Sequence, residues 1–160
     1  MARPRPIPDL TAEESYGQAA AKILAVRSRE LAEHSRDVLN VEDIERLHDM
    51  RVATRRLRAA LEVFEPCFPP EPWSEALMEV KALADALGER RDRDVTIVAL
   101  EGFRAAVAVA DRPGVDGLTQ AIHDEQMEAN EALEPFVDPE RLAGLSERLS
   151  ELVQAAVGAE

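Results

Sequence analysis

The sequence predicts an all-α protein, a helical bundle of four to five helices. Hydrophobic residues make up 46% of the chain but aromatic residues only 4%, a mixture that suits helices packed through leucine, valine and alanine. No segment shows the alternation of apolar and polar residues that marks a half-buried strand. Apolar residues instead recur every three or four positions, in segments separated by prolines and glycines. The length of 160 residues fits one domain with a sizeable core.

The chain begins with an arm and a long helix. Prolines at positions 4, 6 and 8 predict an extended N-terminal arm over residues 1–10, followed by the bundle over residues 11–160. Thr11 and Glu14 have the spacing of a capping box, in which the two side chains bond to each other's backbone amides. This pair predicts a first helix over residues 12–38.

The second and third helices are separated by prolines. Asn40 is the expected N-cap of a helix over residues 41–64, which the proline-rich segment EPCFPPEPW must end. A third helix is expected to start near Trp73. Its pattern is long for a globular helix, so we expect a kink or a short interruption near Gly88.

The last third of the chain predicts a loop and two more helices. The segment DRPGVDG at 111–117 is rich in proline and glycine, as loops are, and a fourth helix is expected over residues 118–134. Asp138 as N-cap and Pro139 in the first turn predict a fifth helix that runs nearly to the end.

Composition excludes several classes of protein. Cys67 is the only cysteine, so no intramolecular disulfide can form, and we expect a reducing, cytoplasmic location. The start of the chain lacks the apolar segment of a secretory signal, and no run approaches the roughly 18 apolar residues of a membrane span. We therefore expect no membrane partner.

Charge is unevenly distributed along the chain. The formal net charge is -13, but residues 1–93 contain 15 basic and 18 acidic residues, a net of -3, whereas residues 94–160 contain 4 and 14, a net of -10. A basic surface in the first part is compatible with the acidic total, because charges act over about 8–10 Å in salt solution.

The second predicted helix concentrates positive charge on one side. At 100° per residue, four residues fall within an arc of about 80° beside the apolar seam of that helix. We call these four the basic ribbon: His48, Arg51, Arg55 and Arg58. Like charges at this spacing repel one another by a few tenths of a kcal/mol per pair, roughly. A helix that keeps such a row is expected to face anions, either acidic side chains or a ligand.

Other cations are candidates with stronger alternatives. Lys22, Arg29 and Arg36 recur every seven residues on the first predicted helix, where a solvated face is the usual interpretation. Lys81 lies on the third helix. Arg91 and Arg93 alternate with acidic residues, so local ion pairing is an alternative there.

Other kinds of chemistry have little support in the sequence. No histidine and cysteine cluster has the spacing of a zinc site, and no glycine-rich phosphate loop is present, so we expect neither a metal nor a cofactor. His123 lies near acidic residues, which is more typical of an exposed acidic helix than of a metal site. Nucleic acid is a poor candidate partner, because few aromatic residues are available to stack on bases and the second half is acidic.

Two segments together resemble the CHAD domain, the conserved histidine α-helical domain. LHDMRVATRRLRAALEVF at 47–64 is similar to that family's H-x-x-R-V-x-x-R-R-L-R motif, and LGERRDRDV at 87–95 is similar to its L-G-x-x-R-D-x-D-V motif. Both occur in the family's order. The resemblance is to the first half of a domain built from two similar helical bundles, since nothing after residue 95 supplies a second helix rich in histidine and arginine.

The resemblance implies binding of inorganic polyphosphate by basic side chains that line a cavity. By motif position, it implies anion contacts for His48, Arg51, Arg55, Arg56, Arg58 and Arg91. It gives Asp92 and Asp94 a structural role. Lys81, Lys22, Arg29 and Arg36 complete the candidate set on position alone. Because half a cavity is implied, we expect two chains to pair as a homodimer around polyphosphate, or around sulfate or phosphate ions.

We therefore expect a polyphosphate-binding module without catalytic activity. One alternative is a protein-interaction module whose basic ribbon docks an acidic partner. A less favoured alternative is a phosphohydrolase with His48 as acid or base, for which the sequence offers no facing group of metal-binding carboxylates.

Overall fold

The computed structural model describes residues 3–157 and shows an all-α fold in that range. Five α-helices follow one another along the chain, joined by short turns and three single-turn 3₁₀ segments. They are α1 (Tyr16–His34), α2 (Ile44–Val63), α3 (Pro70–Ala106), α4 (Arg112–Leu133) and α5 (Pro139–Val157). The predicted fold class is confirmed. None of these helices combines the length and the apolar character that a membrane span requires.

Helix α1 is shorter than predicted at both ends. The capping box is formed by Ser15 and Gln18, whose side chains accept hydrogen bonds from each other's backbone amides, and not by Thr11 and Glu14. Glu14 instead forms an ion pair with Lys22. The helix ends at His34, and the turn after it includes Asp37 in the left-handed region, at φ 54°.

Helix α2 also begins later than predicted. Asn40 is not its N-cap, because the Asn40 carboxamide accepts the backbone amide of Glu42 within the preceding turn. At the other end the helix stops before Pro66, as predicted. Two carbonyl groups in its last turn accept side-chain hydrogen bonds. The Trp73 indole N–H donates to the Leu61 carbonyl at 2.9 Å, and the Tyr16 hydroxyl donates to the Val63 carbonyl at 2.8 Å. These bonds tie the end of α2 to α1 and α3.

Helix α3 continues through Gly88 without the predicted break. Its 37 residues correspond to about 55 Å of helix. A glycine inside a helix costs only about 1 kcal/mol relative to alanine, and the packing of α3 against α2, α4 and α5 outweighs that cost. The prediction was wrong because it weighed local propensity without this packing.

The predicted loop at 111–117 is also wrong, since α4 begins at Arg112. Pro113 lies in the first turn of that helix, where a missing N–H leaves no hydrogen bond unmade. The start of α5 is confirmed: the Asp138 carboxylate accepts the backbone amides of Glu140 and Arg141 at 3.0 and 3.1 Å. Pro139 is the first residue of the helix.

The core lies between α1, α2, α5 and the first part of α3. Helix α2 packs against α1 and α3, and α5 packs against α1 and α3. Leucines from all four helices are fully or almost fully buried: Leu24, Leu47, Leu57, Leu61, Leu83, Leu87, Leu145 and Leu149. The last part of α3 extends beyond this core and packs on α4. The fold therefore consists of a four-helix core and a helical hairpin that projects from it.

Candidate anion-binding face

The basic ribbon lies on α2, beside α3. Contacts at both ends of the helix pair show how α3 lies against α2. The Arg91 guanidinium donates to the carbonyl of Ile44, 3.2 Å, at the start of α2, and Lys81 lies 3.6 Å from Glu62 near its end. The two helices are thus antiparallel, and the α3 residues that accompany the ribbon run from Lys81 to Arg91.

Small residues separate the two cations on α3. Lys81, Ala84, Gly88 and Arg91 follow one another at intervals of three and four residues and so lie in one row along the helix. A Cβ atom built on Gly88 would meet no heavy atom within 4 Å, so space is open above this position. We call the basic ribbon together with this row the basic face.

Three members of the ribbon have no partner among the residues that the structure describes. Within residues 3–157, His48, Arg51 and Arg55 form no hydrogen bond or ion pair through their side chains. His48 and Arg51 are half-buried at the edge of the seam, and Arg55 is exposed. These three neighbouring side chains therefore make no ion pair with an acidic residue of the described chain.

The other cations of the basic face are held by acidic residues. The Arg58 Nε donates to Glu62 at 2.9 Å, and Glu62 is also 3.6 Å from Lys81. The hydrogen bond from Arg58, with the charge of Lys81, holds the pKa of Glu62 below its ordinary value. Arg91 lies 4.0 Å from Glu45. Glu62 thus occupies a position that a ligand anion could take.

Arg56 lies about 120° around α2 from the middle of the ribbon. Burial alone would raise the pKa of Glu30 on α1, but hydrogen bonds from Arg5 and Arg27 and the charges of Arg27 and Arg56 hold it below its ordinary value. Arg56 also borders a surface depression together with Arg27 and Ile23 of α1. The structure therefore places Arg56 toward α1 and does not bring it to the basic face.

The α1 cations do not form the row that their spacing predicts. The Lys22 ammonium is held by the arm, at the Asp9 carbonyl, 2.5 Å, and at Glu14. Arg29 is exposed on the helix. Arg36 comes after the helix has ended at His34, and it lines a cavity of about 760 Å³ with Val38 and Leu142. The prediction of a shared face was wrong at Arg36 because it assumed a helix to residue 38.

The alternative of local ion pairing holds for Arg93, with other partners than expected. Its guanidinium contacts Glu89 at 2.7 Å and Glu125 at 3.4 Å. Asp92 is exposed, whereas Asp94 is buried and structural. The sequence interpretation missed the partner of Asp94, which is Arg90.

Arg90 and Asp94, both on α3, form a fully buried ion pair that α4 contacts through Gln126. The Arg90 Nη1 is 3.0 Å from Asp94, whose other oxygen accepts from the Gln126 carboxamide at 2.7 Å. Burial lowers the pKa of Arg90 and raises that of Asp94, although the partner's charge acts in the opposite direction on each. The pair continues the core row Leu83, Leu87, Arg90, Asp94 and Ile97, and this spacing is a signal that could have identified it.

The described residues form no metal site beside the basic face. Among the residues with described positions, no three histidine, cysteine, aspartate or glutamate side chains are placed to hold a metal ion. His123 approaches Gln126, with its Nδ1 3.4 Å from the carboxamide oxygen. The chemistry that the basic face offers is therefore the binding of negative groups by guanidinium, ammonium and imidazole donors.

Comparison with known sequences agrees with the two motifs. The sequence profile of the CHAD domain family matches residues 22–160, a range that includes the basic face and the helices that follow it. Comparison with curated proteins finds no match. Since the family profile covers most of the chain, this protein belongs to the CHAD domain family.

Proposed function

We propose that this protein binds inorganic polyphosphate on the basic face and does not catalyse a reaction there. The observation that carries the proposal is the absence of acidic partners for His48, Arg51 and Arg55 in the described chain. Most other basic residues of this acidic protein have a carboxylate within 4.0 Å, for example Arg46, Arg104 and Arg148. A ligand with many negative charges would supply what the three lack.

The geometry suits a linear polyanion. His48 and Arg58 are separated by ten residues, or about 15 Å along the helix, so the ribbon can contact several consecutive phosphates. Guanidinium groups match phosphate oxygens with two parallel hydrogen bonds. Gly88 leaves room beside the ribbon for the polymer. The family's association with polyphosphate supports the same ligand.

The preference for polyphosphate is tested by comparing how tightly different anions bind to the whole chain. We expect a long polyphosphate to bind more tightly than tripolyphosphate, and orthophosphate to bind much more weakly, when each displaces a fluorescent polyphosphate. Poly-glutamate tests the alternative of an acidic protein partner, and single-stranded DNA tests nucleic acid. Displacement by poly-glutamate at a lower concentration of charge than polyphosphate would favour the protein-interaction alternative.

The phosphohydrolase alternative has its own test. Tripolyphosphate and Mg²⁺ are incubated with the protein, and released phosphate is measured. The proposal expects no release above a sample without protein. Release that disappears in His48→Gln would replace the binding proposal with a catalytic one.

Removing the competing carboxylate should strengthen binding. In Glu62→Gln the Arg58 and Lys81 side chains lose their acidic partner and become available to phosphates, so we expect an affinity about 3 to 10 times higher. Glu65→Gln makes the same change of net charge three residues away and should alter affinity less than twofold. Equal effects of the two variants would show that only the total charge matters.

A further inference from the structure

Helix α3 carries an apolar surface that no described residue covers. The row that begins with Lys81, Ala84, Gly88 and Arg91 continues at the same spacing with Val95, Val98 and Gly102. Arg91 lies opposite the first residue of α2, so the row extends beyond the end of that helix. We define the overhang face by Val95, Val98, Ala99, Gly102 and Phe103. Val95 and Val98 are 52% exposed and Phe103 is 57% exposed.

The overhang face points away from α4. Asp94 bonds to Gln126 of α4, and Arg90 and Ile97 are buried on the same side of α3. At 100° per residue the middle of the overhang face lies about 140° around α3 from the middle of these three residues, and Val98 is its member nearest to them, about 40° from Asp94. Residues of the overhang face are all uncharged. Regular spacing of three and four residues is the pattern by which one helix packs along another. The surface is therefore shaped for a helix.

We propose that a second copy of this chain occupies the overhang face through an antiparallel, two-fold symmetric pairing of the two α3 helices. With the axis between Val98 and Ala99, Val95 of one copy lies opposite Gly102 of the other, and Val98 lies opposite Ala99. Each larger side chain then meets a smaller one. A Cβ atom on Gly102 would meet nothing within 4 Å in the single chain, so a valine can be accommodated there.

Charge favours a second copy in this orientation. In the same register Ala106, at the end of α3, lies opposite Arg91 of the other copy. The last turn of a helix presents unpaired carbonyl groups and the negative end of the helix dipole, to which a guanidinium is attracted.

Pairing would also set the distance between two basic faces. The two Arg91 residues would be separated along the helices by 15 residues, or about 22 Å. An interface made by one pair of helices lies at the small end of the range for stable complexes, so the dimer should be reversible. A polyphosphate long enough to contact both faces should tighten the dimer at least tenfold, and tripolyphosphate should not. This expectation rests on the proposed function.

Cross-linking tests the register without any ligand. Val98→Cys places the two introduced thiols next to the axis, so mild oxidation should convert most of the protein to a covalent dimer. Met78→Cys is the control, because Met78 is 67% exposed on the same helix but far from the axis. It should cross-link slowly. The native Cys67 is buried and should not interfere.

Light scattering tests the dimer itself. At about 100 µM or above, the wild type should approach twice the chain mass of 17.6 kDa, and Val98→Glu should remain a monomer with an unchanged helical spectrum. Met78→Glu should behave as the wild type. A wild type that stays monomeric, a dimer that survives Val98→Glu, or equal cross-linking of the two cysteine variants would each overturn the proposal. Polyphosphate binding by a strict monomer would leave the proposed function standing without the dimer, and a dimer formed by a chain that does not bind polyphosphate would leave the dimer standing without the proposed function.

Discussion

Asp94→Ala is expected to destabilise the protein by about 3–5 kcal/mol, since it leaves the buried Arg90 guanidinium without a counter-charge. It also removes the acceptor of the Gln126 carboxamide. Urea unfolding followed by circular dichroism measures this loss. Asp92→Ala is the matched control on the same helix, where the side chain is exposed, and it should change the free energy of unfolding by less than about 0.5 kcal/mol.

The double variant Arg90→Met/Asp94→Leu separates the ion pair from its individual charges. Both charges are removed together, and apolar side chains of similar volume replace them, so the cost should be smaller than that of Asp94→Ala alone. This expectation agrees with the directions of the two pKa values, which show that burial disfavours both charges. Equal stability of Asp94→Ala and Asp92→Ala would contradict the structural role assigned to the pair.

Replacing Arg51 and Arg55 together with alanine should weaken polyphosphate binding about a hundredfold. Both arginines lack partners in the described chain, so their guanidinium groups are available to the polymer. A contribution of about 1.4 kcal/mol from each corresponds to this factor. Because neither side chain supports another residue through a bond, the free energy of unfolding should change little. Fluorescence titration with a long polyphosphate measures the affinity.

The matched control is Arg29→Ala/Arg36→Ala. It removes the same charge from the α1 side of the molecule, where Arg29 is exposed and Arg36 lies beyond the helix end. We expect a loss of less than about threefold from the long-range effect of net charge alone. A loss as large as that of the ribbon variant would show that the basic face has no special part in binding.

Much of the fold could be predicted because helices are specified by short-range patterns. The apolar spacing of α2, the prolines after it and the Asp138 cap of α5 each act within a few residues, and the structure agrees with them. The break predicted at Gly88 was wrong because packing distant in sequence decides there: Gly88 stays helical because α3 packs along its length. The loop predicted at 111–117 was wrong for a local reason, since Pro113 lies in the first turn of α4.

The sequence can group site residues that lie on one helix, but it does not give the contacts between helices. A helical wheel can group the four members of the ribbon, since all four lie on α2. It cannot show that Glu62 holds Arg58 and Lys81, or that Arg56 turns toward Glu30 of α1, because these contacts depend on neighbouring helices. The apolar spacing of Leu83 and Leu87 could have indicated that Arg90 is buried, but only the contact of Asp94 with Gln126 shows that α4 covers the pair.

Salt dependence tests the central claim most directly. The affinity of the wild-type chain for a long polyphosphate is measured between about 50 and 200 mM salt. If the basic face neutralises about five phosphates, and the slope of about 0.7 per contact for single-stranded polyanions applies, affinity should fall roughly a hundredfold over this range. An affinity that does not change with salt, or the absence of saturable binding at 50 mM, would contradict the assignment of polyphosphate to the basic face.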